Sequence, residues 1–313
     1  MNTLRQKNNK VVFLFGPTAV GKTDLLCSLF VSGHEVVNAD SVQVYKGLDI
    51  GSAKADEEVL SKIKHHLVNV LQPWETFNVA TFISMADRAC EEIRANGNIP
   101  VVSGGTAFYF KNFMYGLSKA PQCTAETREK VARYISENGN AASHEYLCSI
   151  DPVSGARINV NDTYRISRAL EVYLTCGQPL SSFPVPDKPR NNMDVLIIGL
   201  ERDREELRQR IAKRVDLMFE TGLVDEIERL IQSGASLKWQ SMQAIGYSQF
   251  FRALESCSLK DIDIKAVKQQ IVTDSIHYAK RQMTFFNSFK DVHWCHPEDI
   301  NKIRELVTTF ENS

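Results

Sequence analysis

Short runs of apolar residues recur along the chain. Residues 11–15 (VVFLF) are all apolar and lie between Lys10 and Gly16, which is typical of a strand covered on both faces of a sheet. Similar short runs predict further strands at residues 34–40, 99–105 and 193–200. Each run is too short for a buried helix, so the pattern predicts a sheet with a largely buried interior.

Segments with apolar residues at helical spacing separate or follow these strands. A helix is predicted over residues 22–30, and another over 78–96 with Asn78 as its N-cap. Two later helices are predicted around residues 207–219 and 267–289, the second ending near 292–294. Strands that alternate with helices predict an α/β fold, with a parallel sheet and helices on both of its faces. The motif GPTAVGKT after the first strand makes this expected fold similar to that of P-loop NTPases.

The pattern changes between residues 120 and 190. This stretch begins at Ala120-Pro121, ends in the proline-rich FPVPDKPR, and contains helix-like segments with no strand pattern. We therefore predict an inserted, mainly helical subdomain at 120–190 within a core formed by 1–119 and 191–313. Residues 121–190 contain eight basic and eight acidic residues, so their net charge is zero. If this insert binds nucleic acid, the binding must depend on where individual basic side chains lie and not on net charge.

Composition excludes several classes of protein. The 313 residues contain 37 Lys and Arg against 38 Asp and Glu, so the chain is not a polycation bound to nucleic acid by bulk charge. The seven cysteines form no CxxC pair, which argues against a disulfide framework or a cysteine-rich zinc module. The cluster of His293, Cys295 and His296 is more typical of surface and packing residues than of metal ligands.

The chain shows no targeting or membrane signal in the residues given. The apolar run after the polar N-terminal residues is too short for a signal-peptide core, and no run approaches membrane-spanning length. No heptad seam is evident. We therefore expect a cytoplasmic protein without a membrane partner, and a monomer.

The octapeptide GPTAVGKT follows the first predicted strand and opens the first predicted helix. It fits the phosphate-binding pattern G-x-x-x-x-G-K-[ST], in which backbone N–H groups and the helix N-terminus face a bound phosphate. Lys22 can then reach the phosphate oxygens, and the Thr23 hydroxyl can ligate Mg²⁺. The residues predicted to hold a nucleotide or diphosphate are Gly16, Pro17, Thr18, Ala19, Val20, Gly21, Lys22 and Thr23.

Other residues near predicted strand ends allow more than one reading. The strand at 99–105 does not end in the acid that holds Mg²⁺ in many hydrolases of this class, and no guanine-reading NKxD motif is present, which weakens a GTPase hypothesis. Asp40 is either a Mg²⁺ holder, a loop-capping Asx residue or a general base. Thr106 is a helix N-cap, a ligand contact or both.

Arg210 and Arg214 lie one helical turn apart on the predicted helix around 207–219. The simplest interpretation is a solvated pair, with Glu206 and Arg210 at i,i+4 spacing able to form a surface ion pair.

Six blocks in series carry a resemblance that covers nearly the whole chain. They are GPTAVGKT, NADSVQVYKGLDIGSAK, IPVVSGGTAFYFKNFMYGL, INVNDTYRISRALEVY, MQAIGYSQF and YAKRQMTFFNSF. Their order resembles that of the tRNA dimethylallyltransferases, also called isopentenyltransferases. The resemblance implies transfer of a dimethylallyl group from dimethylallyl diphosphate to N6 of the adenosine 3′-adjacent to the anticodon of tRNA, with release of diphosphate.

The same resemblance implies roles for individual residues. Asp40 would accept the N6 proton, and Lys22 and Thr23, the latter with Mg²⁺, would stabilise the departing diphosphate. Thr106 and Arg214 would complete the catalytic set, Arg214 as a diphosphate ligand. The implied tRNA contacts are Asp40, Ser41, Val42, Gln43, Thr106, Arg128, Asn161, Asp162, Thr163, Tyr164, Arg165, Gln243, Ala244, Ile245, Gly246 and Tyr247, and Lys280 and Arg281 are either further phosphate contacts or a solvated helix face.

Three alternatives remain open at this point. An adenylate isopentenyltransferase would use a free nucleotide as acceptor, and the inserted subdomain argues against it because a free nucleotide needs no clamp along an RNA stem. A small-molecule kinase of the P-loop class would bind ATP in the glycine-rich loop. A non-catalytic RNA-binding module would use the loop to make its RNA affinity depend on a bound nucleotide, and Asp40→Ala separates it from the transferase because only the transferase would lose turnover.

Overall fold

The computed structural model describes residues 9–190 and 193–313. The polar residues 1–8 of the N-terminal stretch, and residues 191 and 192 at the predicted boundary between insert and core, lie outside the described residues. The described residues form two compact units, one within Met1–Met114 and Asn191–Ser313 and the other within Tyr115–Arg190. The sequence predicts a core of 1–119 and 191–313 and an insert of 120–190, which puts the first boundary five residues later than in these units.

A single parallel sheet organises the core unit. Its strand order is β3-β2-β4-β1-β5-β6, and every pairing is parallel. The strands are β1 Lys10–Phe15, β2 His34–Asn38, β3 His65–His66, β4 Ile99–Gly104, β5 Asp194–Leu200 and β6 His293–Cys295. The predicted α/β fold is confirmed, and the four strands that the apolar runs predict occupy the four central positions.

The helices of the core unit connect and cover these strands. They are α1 Lys22–Leu29, α2 Glu57–Lys62, α3 Val79–Ala95, α4 Ala107–Tyr115, α8 Arg204–Glu220, α9 Leu223–Gln232, α10 Ser248–Ala253, α11 Ile264–Phe286 and α12 Ile300–Asn312. Helix α3 begins as predicted, because the Asn78 side chain accepts hydrogen bonds from the N–H groups of Ala80 and Thr81. Helix α11 ends at Phe286, earlier than predicted, and the residues near its predicted end form β6 instead.

Strand β1 is buried along its whole length because both faces of the sheet are covered. On one face, Val12 and Leu14 belong to a core cluster with residues of α1, α8 and α12. On the other face, the Phe15 ring stacks on Phe286 of α11 with ring centroids 4.2 Å apart, and Phe13 meets Phe110 of α4 edge to face at 5.3 Å. Alternate side chains therefore point to opposite layers, as the continuous apolar run predicts.

The insert unit is helical. It contains α5 Ala125–Ile150, α6 Pro152–Arg157 and α7 Thr163–Cys176, with a short 3₁₀ turn at Leu180–Ser182. Gly139 interrupts α5 with a left-handed φ of 78°, so this helix consists of two segments. The unit has its own apolar core, formed by Val131, Leu147, Ile158, Ile166, Ala169 and Leu170.

Among the helices that the structure describes, none is long and apolar enough to cross a membrane.

Candidate active site

The glycine-rich loop joins β1 to α1 at the carboxyl edge of the sheet. A Cβ at Gly16 would lie 2.8 Å from the carbonyl oxygen of Leu200 on β5, so only glycine lets the loop leave the sheet here. Gly21 has a φ of 112°, a left-handed conformation that most side chains disfavour. These two glycines fix the loop that the sequence pattern predicts, with the N-terminus of α1 directly behind it.

Three side chains from distant parts of the chain brace this loop. Arg210 Nε donates to the carbonyl oxygen of Ala19 at 2.8 Å, and Arg202 Nε donates to that of Val20 at the same distance. The Gln282 side chain accepts from Thr18 N at 2.9 Å and donates to Gly105 O at 2.7 Å. Because the loop carbonyls are bound from outside, the direction of the intervening N–H groups is fixed as well.

Lys22 folds back onto the loop. Its Nζ donates to the carbonyl oxygens of Gly16 at 2.9 Å and Pro17 at 2.8 Å. Burial, reinforced by the positive charge of Arg214 and opposed by Asp40, lowers the pKa of Lys22 to about 7. An anion bound in the loop would therefore stabilise the protonated form of Lys22.

Asp40 follows β2 and forms an Asx turn. Its Oδ1 accepts hydrogen bonds from the backbone N–H groups of Val42 at 2.8 Å and Gln43 at 3.2 Å. The loop-capping interpretation thus holds for one carboxylate oxygen. It does not exclude a chemical role, because Asp40 also lines two cavities.

The two cavities meet at a shared wall. The larger, of about 730 Å³, is lined by the glycine-rich loop from Thr18 to Asp24 and by Ser103 to Gly105, and the smaller, of about 320 Å³, is lined by residues 243–246. Both volumes are within the range of small-molecule sites, about 300–1,000 Å³. The residues that line both cavities are Thr18, Asp40, Arg214 and Tyr278.

Arg214 is held at this wall by α8. Its Nη2 donates to the carbonyl oxygen of Ser52 at 3.3 Å, and burial lowers the pKa of its guanidinium although Asp40 opposes that shift. The interpretation of Arg210 and Arg214 as a solvated pair is wrong, because Arg210 braces the loop and Arg214 lies in the wall. The expected ion pair between Glu206 and Arg210 is also not observed, since Glu206 pairs with Arg202 instead.

Thr106 lies at the start of α4 next to Tyr278. Its buried hydroxyl has no hydrogen-bond partner of good geometry among the described residues, so the N-cap interpretation does not hold for its side chain. Burial, followed by the charge of Asp40, raises the pKa of Tyr278 to about 12, which keeps its phenol protonated beside the Thr106 hydroxyl. Tyr278 lies in the shared wall with Asp40, and the N–H group of Thr106 donates to the carbonyl oxygen of Ala39, the residue before Asp40, at 3.2 Å.

The residues expected on the acceptor side divide into two sets. Those that line the smaller cavity are Ser41, Val42, Gln243, Ala244, Ile245 and Gly246, and Gln43 lines the larger one. Tyr247 differs from expectation, because its side chain has no solvent-exposed surface and its hydroxyl donates to Glu226 Oε1 at 2.7 Å. In this structure its side chain is part of the core, not a surface for RNA.

Family models match most of this chain. The model described as IPP transferase matches residues 43–289, and the one described as isopentenyl transferase matches residues 9–70. The chain belongs to the IPP transferase family. Within that family it is 42% identical over 305 residues to a tRNA dimethylallyltransferase of Borrelia turicatae, which covers 96% of this chain and 99% of the relative.

Solved structures of IPP transferases resemble this chain over nearly its full length. The tRNA isopentenylpyrophosphate transferase of Bacillus halodurans is 32% identical, with a TM-score of 0.71 and coverage of 97% of both chains. A eukaryotic dimethylallyltransferase acting on tRNA is 25% identical, with a TM-score of 0.76 and coverage of 96% of this chain and 77% of its own. The resemblance that the sequence blocks carry is therefore confirmed at the level of the family.

The insert of this IPP transferase carries the remaining residues expected to contact RNA. Asp162 caps α7, since its Oδ1 accepts from Arg165 N at 3.1 Å, and it also pairs with the Arg165 guanidinium at 3.2 Å. Tyr164 is 82% exposed, an unusual position for a large aromatic side chain. Asn161, Thr163 and Arg128 are exposed as well, so all of this set except the half-buried Asp162 offers an open surface.

Sequence reasoning missed Arg202, Gln282 and Tyr278. Arg202 comes two residues after β5, at the edge of the sheet where ligands bind, and this position alone could have marked it. Gln282 and Tyr278 lie one turn apart on α11 within the block YAKRQMTFFNSF, which we assigned to the family without roles for these two residues.

His296 lies in a cluster with two acidic side chains and Arg202. Within the described residues, Glu206, His296 and Glu298 place ligand atoms within 4.8 Å of one another. The Arg202 guanidinium lies among them, because its Nη1 is 3.0 Å from Glu298 Oε1 and 3.2 Å from His296 Nε2 and also binds Glu206. The Arg202 guanidinium thus supplies positive charge to this cluster.

Proposed function

We propose that this protein transfers a dimethylallyl group from dimethylallyl diphosphate to N6 of the adenosine 3′-adjacent to the anticodon in tRNA, releasing diphosphate. One observation carries the proposal: Asp40 and Arg214 lie in the wall between a cavity built on a phosphate-binding loop and a second cavity. In a kinase, the acceptor hydroxyl would have to reach the γ-phosphate of ATP within the phosphate-binding cavity. A transferase of allyl groups instead needs a carboxylate on the acceptor side and cations on the diphosphate side.

The reaction is a displacement at the allylic carbon. The N6 lone pair forms the new N–C bond, the bond from that carbon to the diphosphate oxygen breaks, and the bonding electrons leave with diphosphate. The N6 proton passes to the Asp40 carboxylate, whose Oδ1 is already oriented by two backbone N–H groups. A positioned base of this kind contributes a rate factor of about 10²–10⁴.

The larger cavity supplies charge for the leaving group. The backbone of Gly16 to Gly21 cradles the diphosphate, and Lys22 and Arg214 offer positive charge where negative charge develops. Thr23 is exposed to this cavity at the first turn of α1, and oxygen ligands are those that Mg²⁺ prefers. When bound there, Mg²⁺ would neutralise the diphosphate oxygens.

A basic groove on the core unit supports an RNA acceptor. It has a volume of about 590 Å³ and is lined by Lys111, His277, Lys280, Arg281, Thr284, Phe285 and Ser288. Arg281 also lines the smaller cavity, so the groove continues towards the proposed adenine site. Phosphate contacts from such side chains would offset part of the cost of extruding a stacked base, a few kcal/mol.

The decisive experiment is mass spectrometry of unmodified tRNA after incubation with the protein, Mg²⁺ and dimethylallyl diphosphate. We expect a mass gain of one C₅H₈ unit on the adenosine next to the anticodon. Parallel reactions replace tRNA by AMP, or the allyl donor by ATP. Transfer to AMP but not to tRNA, or phosphoryl transfer from ATP, would contradict the proposal. Monomeric state and cytoplasmic location stay predictions.

A further inference from the structure

Glu226 of α9 is an acidic side chain in the interior of the core unit. It is 2% exposed, and its carboxylate accepts hydrogen bonds from four donors. Oε2 accepts from the N–H groups of Asp49 at 2.9 Å and Ile50 at 2.8 Å, and Oε1 accepts from Gly51 N at 3.0 Å and Tyr247 Oη at 2.7 Å. Three of these donors are backbone N–H groups and the fourth is a phenol, so dipolar groups stabilise the charge of the carboxylate.

The four donors come from two segments that wall the smaller cavity. The first segment is residues 49–51, of which Gly51 lines the cavity. The second is residues 243–247, of which Gly246, next to Tyr247, lines it. The segments touch without spare room, because a Cβ at Gly51 would lie 2.6 Å from the Tyr247 ring and one at Gly246 would lie 2.7 Å from Gly51 O. The Glu226 carboxylate is thus the polar link across a backbone contact that defines this side of the cavity.

The first segment continues into contacts with the shared wall. The carbonyl oxygen of Ser52 accepts from Arg214 Nη2 and from Gln43 Nε2, both at 3.3 Å, and Ala53 O accepts from Gln43 Nε2 at 3.2 Å. A shift of residues 49–51 would therefore move the carbonyl groups that orient these two side chains. Glu226 touches neither cavity itself and acts through the segments it holds.

We propose that Glu226 is a positioning residue for the acceptor, which holds residues 49–51 and 243–247 at the spacing that admits the adenine of the RNA substrate. This inference rests on the proposed function, because it assigns the smaller cavity to the acceptor base. The glycine-rich loop is braced by Arg202, Arg210 and Gln282, none of which contacts Glu226. Loss of the carboxylate should therefore affect the RNA directly and the allyl donor only through the single 3.3 Å contact of Arg214 with Ser52 O, so the effect on the RNA should be the larger one.

The test compares Glu226→Gln with two matched variants in steady-state transfer to tRNA. The amide keeps the shape but turns an N–H₂ group towards N–H donors, which removes charge-assisted bonds and leaves a buried clash of donors. We expect KM for tRNA to rise by about 10-fold or more, with KM for dimethylallyl diphosphate within about 2-fold of wild type. Tyr247→Phe removes one donor only and should shift KM for tRNA in the same direction by less. Glu228→Gln, exposed on the same helix, should change neither.

If Glu226 only stabilises the fold, Glu226→Gln should give a different kinetic pattern. It would lower kcat in proportion to the folded fraction, leave both KM values unchanged and lower the melting temperature. That pattern, or unchanged kinetics for Glu226→Gln, would overturn the inference. If wild type transfers no allyl group to tRNA, the proposed function fails instead, and direct binding of an anticodon stem-loop to Glu226→Gln and wild type still tests the placement of the two segments.

Discussion

Binding of the allyl donor should depend on pH through Lys22. Its pKa of about 7 in the free protein means that the ammonium group loses its proton readily because burial disfavours the charge. A diphosphate next to Nζ favours the charged form, so binding raises this pKa and takes up a proton. The affinity for the allyl donor should therefore be highest below the pKa of Lys22 in the free protein and should fall as the pH rises above it.

The size of the effect follows from the protonated fraction. With a pKa of about 7, half of the Lys22 side chains carry the proton at about pH 7, and about 1% do so at about pH 9. If only the ammonium form binds diphosphate well, the dissociation constant should rise about 50-fold between these two pH values. The last ionisation of an organic diphosphate has a pKa of about 6, so the ligand is mostly ionised at about pH 7 and its own titration changes the affinity by less than about 2-fold over that interval.

Isothermal titration calorimetry with a thiolodiphosphate analogue of the donor measures this directly. Titrations near pH 8 in two buffers of different ionisation enthalpy should reveal an uptake of close to one proton per ligand. In Lys22→Arg the charge persists through the whole interval, and the pH dependence should largely disappear. Equal pH slopes for wild type and Lys22→Arg, with no proton uptake by either, would refute this account of the site.

Three further predictions concern residues of the same site. Asp40→Asn keeps an oxygen that can form the Asx turn but removes the base, so single-turnover transfer should slow by about 10²–10⁴-fold; a rate like that of wild type would remove Asp40 from the chemistry. Thr23→Val should raise the Mg²⁺ concentration at half-maximal rate by about 10-fold if the hydroxyl is a ligand, which a Mg²⁺ titration of the initial rate detects. Arg210→Met leaves Ala19 O without its donor and should raise KM for the allyl donor by about 10-fold, whereas Arg208→Met, exposed on the same helix, should match wild type.

The parts of the fold that were predictable are those fixed by local pattern. Residues 11–15 form a buried strand because a continuous apolar run fits a sheet covered on both sides, and GPTAVGKT forms the loop because its glycines meet steric demands. Asn78 caps α3 through its own side chain. In each case the residues that determine the structure are neighbours in the sequence.

The parts that were not predictable depend on contacts between distant segments. Strands β3 and β6 are two and three residues long, and such short segments carry no pattern of their own and form only because a neighbouring strand pairs with them. Tyr247 could not be separated from residues 243–246, which line the smaller cavity, because its partner Glu226 lies on the distant helix α9. The braces Arg202 and Gln282 escaped for the same reason, since their loop partners lie far away in the chain.

The separation of loop and braces explains why the second half of the chain is needed for a site that begins at residue 16. The carboxyl ends of β1, β2 and β4 bring the loop, Asp40 and the segment before Thr106 to one edge of the sheet, but none of them supplies an arginine. Helices α8 and α11 cross this edge and pack on each other, and they deliver Arg210, Arg214, Tyr278 and Gln282 to it. Lys22 in the larger cavity lies near Arg214 and Asp40 of the shared wall, so Arg214 disfavours the charge of Lys22 and Asp40 favours the charge of both cations. A bound diphosphate would offset the repulsion between Lys22 and Arg214. Donor binding should therefore hold Arg214 more firmly in the wall that the larger cavity shares with the proposed adenine site.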